Sequence, residues 1–214
     1  MDSCLTATLA AQTHEIHLLH VTYGQRTAAR EKRACEEVGA ALGAKQTLVV
    51  SIEHLKVFGA SSLTDAARKV EVFDANATGS GEIPSTYVPF RNGNLLAMAC
   101  SWAEAIGADS VWIGAVQQDS SGYPDCRREF LEAFEKAVNL GTKPDTTIAI
   151  RAPLLDMSKT DIVKKALALG APLAKTWSCY VAETQACGTC ESCGLRLRGF
   201  AGADAKDPIP YRSP

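Results

Sequence analysis

Residues 15–43, EIHLLHVTYGQRTAAREKRACEEVGAALG, hold one whole strand–loop–helix unit. The run 15–21, EIHLLHV, has the Ile, Leu and Val content of a strand. Over 27–43 the spacing changes. Ala34, Cys35, Val38, Ala41 and Leu42 recur at steps of three and four residues, the period of a helix with one apolar face, and Gly43 supplies a stop. Between the two lies a short polar stretch, TYGQR, at 22–26. A strand followed by a helix over so short a span is the repeating piece of an α/β fold, because the helix lies back across the sheet to bury its apolar face.

The alternation continues along the chain. QTLVV (46–50), SVWIGA (110–115) and TIAI (147–150) read as strands. Leu95, Leu96, Ala99, Trp102, Ala103 and Ile106 mark a helix over 93–106, and Phe130, Leu131, Phe134 and Val138 mark another. Ser158 with Asp161 reads as a capping box opening a further helix, with Ile162, Val163, Ala166 and Leu167 inside. The expected fold class is α/β: a doubly wound, mainly parallel sheet with a small carboxy-terminal metal-binding segment. The body is expected to span 1–175, and the segment 176–214 to pack on it. The tail from Gly199 is expected to wrap irregularly over the surface. Ligands of such sheets bind beyond the carboxyl ends of the strands. Three polar segments follow or interrupt the elements: TYGQR, GEIPSTYVPFRNGN (81–94) and GAVQQDSSGYPDCRREF (114–130). Long loops of this kind in a compact domain tend to be functional.

Near the end of the chain, CYVAETQACGTCESC (179–193) sets Cys179, Cys187, Cys190 and Cys193 at C-x7-C-x2-C-x2-C spacing. Two-residue gaps let thiolates converge on one ion, and four thiolates suit tetrahedral zinc. If 187–193 is helical, three sulfurs share one side and Cys179 closes the cage from the preceding loop. An iron–sulfur cluster and a redox or disulfide set are the alternatives, although a ferredoxin-type C-x3-C-P does not follow Cys193. With four protein ligands a zinc ion would have no open position, so its role is structural. The other cysteines, Cys4, Cys35, Cys100 and Cys126, are scattered over helical segments and read as reduced thiols.

Composition narrows the function classes. The chain has 214 residues, 46% of them hydrophobic and 21% charged, as in an ordinary globular domain. A net charge of −2 gives no basic stripe for nucleic acid. No apolar run is long enough for a bilayer, and the start MDSCLTATLAAQ lacks the basic opening of a secretory signal. Location in the cytoplasm is expected. His14, His17 and His20 straddle a strand at three-residue steps, which alternate faces, so they are not expected to share a metal.

Taken in order, MDS (1–3), YGQR (23–26), VPFRN (88–92), GAVQQDSSGYPDCRREF, SKTDIV (158–163) and the cysteine cluster followed by LRLRGF (195–200) resemble one family. It is the 7-cyano-7-deazaguanine (preQ0) synthases of queuosine biosynthesis, among the N-type ATP pyrophosphatases. The resemblance covers nearly the whole chain. It implies an adenine nucleotide alpha hydrolase-like fold and an ATP-dependent carbon–nitrogen ligase. In that reaction ATP activates the carboxylate of 7-carboxy-7-deazaguanine, ammonia attacks, and the amide is activated again and dehydrated to a nitrile. It further implies structural Zn2+, Mg2+ with the ATP, small-molecule substrates and a homodimer, with no direct nucleic-acid partner.

In this family a glycine-rich turn of the form SGGxDS holds phosphate through backbone N–H groups at a helix start. The chain begins Met1-Asp2-Ser3, inside that turn. The resemblance therefore leads us to expect that SGG and the central strand feeding it are missing, which would leave two strands with open edges. The true start is then expected roughly ten residues upstream, about one strand plus a turn. The alternative is a shortened chain with impaired nucleotide binding.

The same resemblance assigns roles by position. Asp2, Ser3 and Lys159 are the catalytic candidates, with Asp2 near magnesium, Ser3 on phosphate and Lys159 on developing charge. Asp2, Ser3, Tyr23 and Arg91 are candidates for ATP. Arg91, Asp119, Tyr123 and Asp125 are candidates for the deazaguanine, whose amine and ring N–H suit an aspartate and whose face suits a tyrosine. A guanidinium matches phosphate and carboxylate alike. Plainer readings stand beside these: Asp2 and Ser3 as helix caps, Arg91 and Lys159 as solvated helix-start residues, and Asp119, Tyr123 and Asp125 as turn formers. Rival functions are another ATP pyrophosphatase, such as a tRNA thiolation enzyme or an amide-forming ligase, and a catalytically impaired or repurposed member acting as a zinc-stabilised binding module.

Overall fold

The computed structural model describes residues 1–74, 83–116 and 123–212. Helices and parallel strands alternate through these residues: α1 (Asp2–Ala11), β1 (His17–Thr22), α2 (Ala28–Leu42), β2 (Gln46–Ser51), α3 (His54–Phe58), α4 (Arg91–Ile106), β3 (Ser110–Trp112), α5 (Arg128–Gly141), β4 (Ala149–Arg151), α6 (Lys159–Ala168) and α7 (Glu191–Gly202). Short 3-10 turns at Pro124–Cys126 and Leu173–Lys175 precede α5 and follow α6.

The expectation of one continuous sheet is corrected. The strands form two separate parallel pairs, β1 with β2 and β3 with β4. β1 and β2 run in register from His17 opposite Gln46 to Thr22 opposite Ser51. β3 and β4 pair only from Ser110 opposite Ala149 to Trp112 opposite Arg151, shorter than the apolar runs 110–115 and 147–150 that announced them. Between the pairs lies a cleft of about 880 Å³, lined by β1 on one side and β3 on the other. Among the described residues no ladder crosses it. The physical reason is spacing: neighbouring strands must lie about 4.8 Å apart to exchange hydrogen bonds, and here a cavity stands between them.

Local rules account for the helix ends. α2 stops at Gly43, which takes the left-handed conformation. Ser158 caps α6, its hydroxyl accepting from the Asp161 N–H at 3.1 Å. α3 was not read from its sequence, being five residues long. α7 continues to Gly202, so the irregular tail begins at Ala203, four residues later than expected. No helix among the described residues is long and apolar enough to cross a membrane.

The core falls into several clusters. Leu96, Cys100, Val111, Leu131, Ile148 and Leu155 join α4, β3 and α5. Leu5, Leu154, Ile162, Val163 and Phe200 join α1, α6 and α7. Each such aliphatic side chain, once buried, contributes roughly 1.5–3 kcal/mol. Where α1 begins, Gly114 makes the junction possible: a Cβ there would lie 2.8 Å from the Ser3 backbone nitrogen and 3.0 Å from the Asp2 carbonyl carbon. The first turn of α1 thus rests directly on the segment leaving β3.

Candidate functional site

The chemistry-bearing residues gather along the cleft. Asp2 lies at the start of α1 and Lys159 at the start of α6, 157 residues apart, and their side chains meet with Nζ donating to Oδ2 at 2.8 Å. Burial works to raise the Asp2 carboxyl, but the ammonium of Lys159 and the neighbouring Met1 amino group outweigh it and hold it below its ordinary range. The second oxygen, Oδ1, is buried and has no hydrogen-bond partner among the described residues. A buried carboxylate oxygen without a donor suits a cation. Ser3, one residue on, is exposed and also lines the cleft.

Arg91 opens α4 and sits among tyrosines. Its Nη1 donates to the Tyr23 hydroxyl at 3.2 Å. Its guanidinium lies 5.8 Å from the Tyr23 ring and 5.6 Å from the Tyr123 ring. Tyr180 lines the same part of the cleft. No carboxylate is within ion-pair distance of Arg91 among the described residues. A cation held at the wall of a cavity by aromatic rings offers its remaining N–H groups to an anion.

Not every expected contact faces the cleft. Asp125 is 3% exposed and engaged with the start of α4: Oδ2 accepts from the Asn92 N–H at 2.7 Å, and Oδ1 lies 3.4 Å from the Asn92 amide nitrogen. A carboxylate at a helix amino end satisfies an orphan N–H and complements the dipole. Asp125 therefore sets the helix that carries Arg91. Tyr123 reaches the cleft, with its hydroxyl 2.9 Å from Thr86 Oγ1. Asp119 lies outside the described residues.

The sequence reading passed over the residues that shape the turn after β1. Gln25 is 6% exposed; its Oε1 accepts from the Tyr23 N–H at 2.8 Å and its Nε2 donates to Glu31 Oε2 at 3.1 Å. Glu31 also accepts from the Thr27 hydroxyl at 2.6 Å. Burial raises the Glu31 carboxyl, partly offset by those two donors. The polar character of TYGQR directly after a strand was the available signal.

Next to the cleft, the sulfurs of Cys179, Cys187, Cys190 and Cys193 lie within 4.8 Å of one another. Tetrahedral ligation at about 2.3 Å sets sulfurs roughly 3.8 Å apart, and Cys187 and Cys193 are 3.9 Å apart. The donor set fits a metal ion. The expectation of a helix over 187–193 is corrected: only Cys193 lies in α7, and Cys187 to Cys190 form a turn with Gly188 at φ +76°. That turn aims the Thr189 and Cys190 N–H groups at Cys187 Sγ, at 3.4 and 3.3 Å. Cys179 Sγ receives N–H groups of Val181, Ala182 and Cys187, each at 3.4 Å. Contacts from the Cys190 and Cys193 sulfurs, with those N–H groups, hold the Cys179 thiol well below its usual range. All eight cysteines are free, and burial pushes Cys35, Cys100 and Cys126 up to about 11.

Behind the cysteines, Arg196 is 1% exposed and held by Asp207 at 2.6 and 2.9 Å, with further bonds to Thr176 at 2.7 Å and Ser178 at 3.3 Å. Tyr211 donates to the same Asp207 at 2.7 Å. This network pins the tail onto α7.

An α/β protein with a cleft that sets Arg91 among tyrosines and a four-sulfur knuckle is the class defined by fold and site. The family model described as "Queuosine biosynthesis protein QueC" matches residues 1–204, and the chain belongs to that family. It is 54% identical over 214 residues to a 7-cyano-7-deazaguanine synthase of Koribacter versatilis, covering 99% of this chain and 89% of that protein. A 7-cyano-7-deazaguanine synthase of Acidobacterium capsulatum is 50% identical over 212 residues, covering 99% of this chain and 92% of the relative. One from Halobacterium salinarum is 50% identical over 212 residues, covering 99% and 91%.

Proposed function

We propose that this protein is an ATP-dependent ligase that makes 7-cyano-7-deazaguanine from 7-carboxy-7-deazaguanine and ammonia in queuosine biosynthesis. The observation that carries the reading is the juxtaposition of Asp2 with Lys159 beside a cleft that also holds Arg91. A carboxylate is a poor electrophile because its leaving group would be oxide. Its oxygen attacks the α-phosphorus of ATP, pyrophosphate leaves, and the acyl adenylate then loses AMP to ammonia, giving the amide. A second adenylation, on the amide oxygen, lets AMP depart as the nitrile forms. Such catalysis is mainly positioning and stabilisation of developing charge.

In this reading Asp2 Oδ1 would help hold the Mg2+ that accompanies ATP, which would supply neutralisation of phosphate charge. Ser3 and Lys159 contact phosphate oxygens, Tyr23 packs against the nucleotide, and Arg91 and Tyr123 hold the deazaguanine acid. Asp119 is assigned to the deazaguanine by family resemblance alone, and Asp125 acts through α4. The knuckle holds one structural zinc ion. The fold is of the N-type ATP pyrophosphatase kind, a body over 1–175 with a zinc segment over 176–214. Eight free cysteines favour a reducing compartment, in keeping with a cytoplasmic homodimer.

The test is to incubate metal-loaded protein with ATP, ammonia and 7-carboxy-7-deazaguanine and follow AMP and product mass. Two AMP per nitrile are expected. AMP formation that ignores the deazaguanine, or none at all, overturns the reading.

A further inference from the structure

The knuckle and the Arg91 pocket touch through a chain of hydrogen bonds that the reaction itself does not require. Thr27 is 1% exposed, and its single hydroxyl proton is shared between two acceptors, Glu31 Oε1 at 2.6 Å and the carbonyl oxygen of Cys179, the first sulfur of the knuckle, at 3.2 Å. Glu31 holds Gln25, Gln25 holds the Tyr23 N–H, and the Tyr23 hydroxyl accepts from Arg91. A line of polar contacts, completed by the Tyr23 side chain itself, thus runs from the Cys179 backbone to the guanidinium.

Two further ties run alongside. Tyr180, next in the chain after Cys179, packs on the cluster of Tyr23, Leu55, Leu63 and Val88 and lines the cleft near Arg91. Glu191, between Cys190 and Cys193, accepts from Thr86 Oγ1 at 3.1 Å, and Thr86 in turn meets the Tyr123 hydroxyl. Two of the tyrosines beside Arg91, Tyr23 and Tyr123, are therefore held through partners on the knuckle, and Tyr180 belongs to it.

We propose that Thr27 is a positioning residue that couples metal binding at the four cysteines to anion binding at Arg91, so that each ligand strengthens the other's hold. The proposal rests on the reading of Arg91 as the contact for an anionic substrate and of the knuckle as a metal centre. Metal ligation fixes the Cys179 peptide, that carbonyl and Glu31 fix the Thr27 hydroxyl, and the turn carrying Tyr23 follows. An ordered turn presents Arg91 ready to bind. Coupling of this kind is reciprocal at equilibrium and typically amounts to a 5- to 150-fold change in affinity.

The experiment uses the full-length, zinc-loaded protein. Apparent zinc affinity is measured by competition with a chelator of known affinity, with and without saturating ATP and 7-carboxy-7-deazaguanine. The ligands should tighten zinc binding by about 5-fold or more. Thr27→Val, which keeps shape but removes the proton donor, should remove most of the tightening while zinc remains stoichiometric, and raise KM more than it lowers kcat. Thr27→Ser should restore both. Thr86→Val, which cuts the separate tie through Glu191, should weaken the tightening without removing it, and serves if Thr27→Val does not fold. Zinc affinity indifferent to the ligands in the parent protein, or unchanged tightening in Thr27→Val, overturns the coupling. Arg91→Lys keeps the two failures apart: if it leaves ligand binding unaltered, the reading of Arg91 fails and takes the proposal with it. If it weakens ligand binding while parent zinc affinity ignores ligand, only the coupling fails.

Discussion

The cleft and the cysteine knuckle treat their polar groups in opposite ways. Around the knuckle almost every polar atom has a partner: sulfurs collect N–H groups, and the Arg196 guanidinium is shared among Asp207, Thr176 and Ser178. Along the cleft, Asp2 Oδ1, Thr6 Oγ1, His17 Nδ1 and His20 Nε2 are buried without partners among the described residues, against one such atom, Arg30 Nη1, on the knuckle side beside Trp177, and the sheet is divided. Unmet buried groups cost stability, and four of the five among the described residues line the cleft. The knuckle pairs its polar groups internally, and the cleft leaves several of its own open.

That contrast can be broken most directly at the sulfurs. Replacing Cys193, which is 1% exposed, with Ala should remove a ligand and loosen the start of α7. Structural zinc sites contribute folding energy outright. Loss of about 4 kcal/mol would lower Tm by roughly 8–16 °C in a chain of this size. Calorimetry with metal analysis checks this, and a fall of a degree or two with zinc still bound would contradict a structural role.

Next in size is Asp207→Ala, which strands the Arg196 charge at 1% exposure. Leaving one member of a buried pair costs about 3–5 kcal/mol, readable as a lower urea midpoint. Arg196→Met with Asp207→Leu, removing both charges, should recover much of the loss.

Lys159→Met probes the opposite side of the comparison. It should lower kcat/KM by about 10²–10³-fold, the usual effect of deleting one preorganised donor, while the urea midpoint moves far less than in Asp207→Ala. Equal destabilisation by the two variants would erase the distinction between the regions.

The smallest expected effect is a pH slope. Burial lowers the His20 imidazole in β1. A histidine whose folded pKa is depressed contributes stability that is fully present above its unfolded value of about 6.5 and declines as pH falls through the folded value. His20→Gln should flatten that part of the stability profile below about pH 6.5, measured by urea titration across pH, with little change at pH 8.

Periodicity carried most of the elements. The three-and-four spacing of Ala34, Val38 and Leu42 places α2 correctly, and Ser158 with Asp161 marks the start of α6. Turn chemistry was less legible. Nothing in C-x2-C spacing distinguishes a helix from the tight turn at Gly188, because both bring sulfurs together. The pairing of Arg196 with Asp207, eleven residues apart, has no local signature, and neither has the use of Asp125 to hold α4.

What sequence alone determined is local and short-ranged: the α/β alternation, the helix caps and which four sulfurs gather into one cluster, because each depends on residues a few positions apart. Only the tertiary structure decided that the sheet is divided by a cleft, that Asp2 meets Lys159 across 157 residues, and that Thr27 joins the knuckle to the turn beside Arg91. Those contacts arise when buried polar groups far apart in the chain must find partners away from water, and no spacing along the chain records which partner will be near.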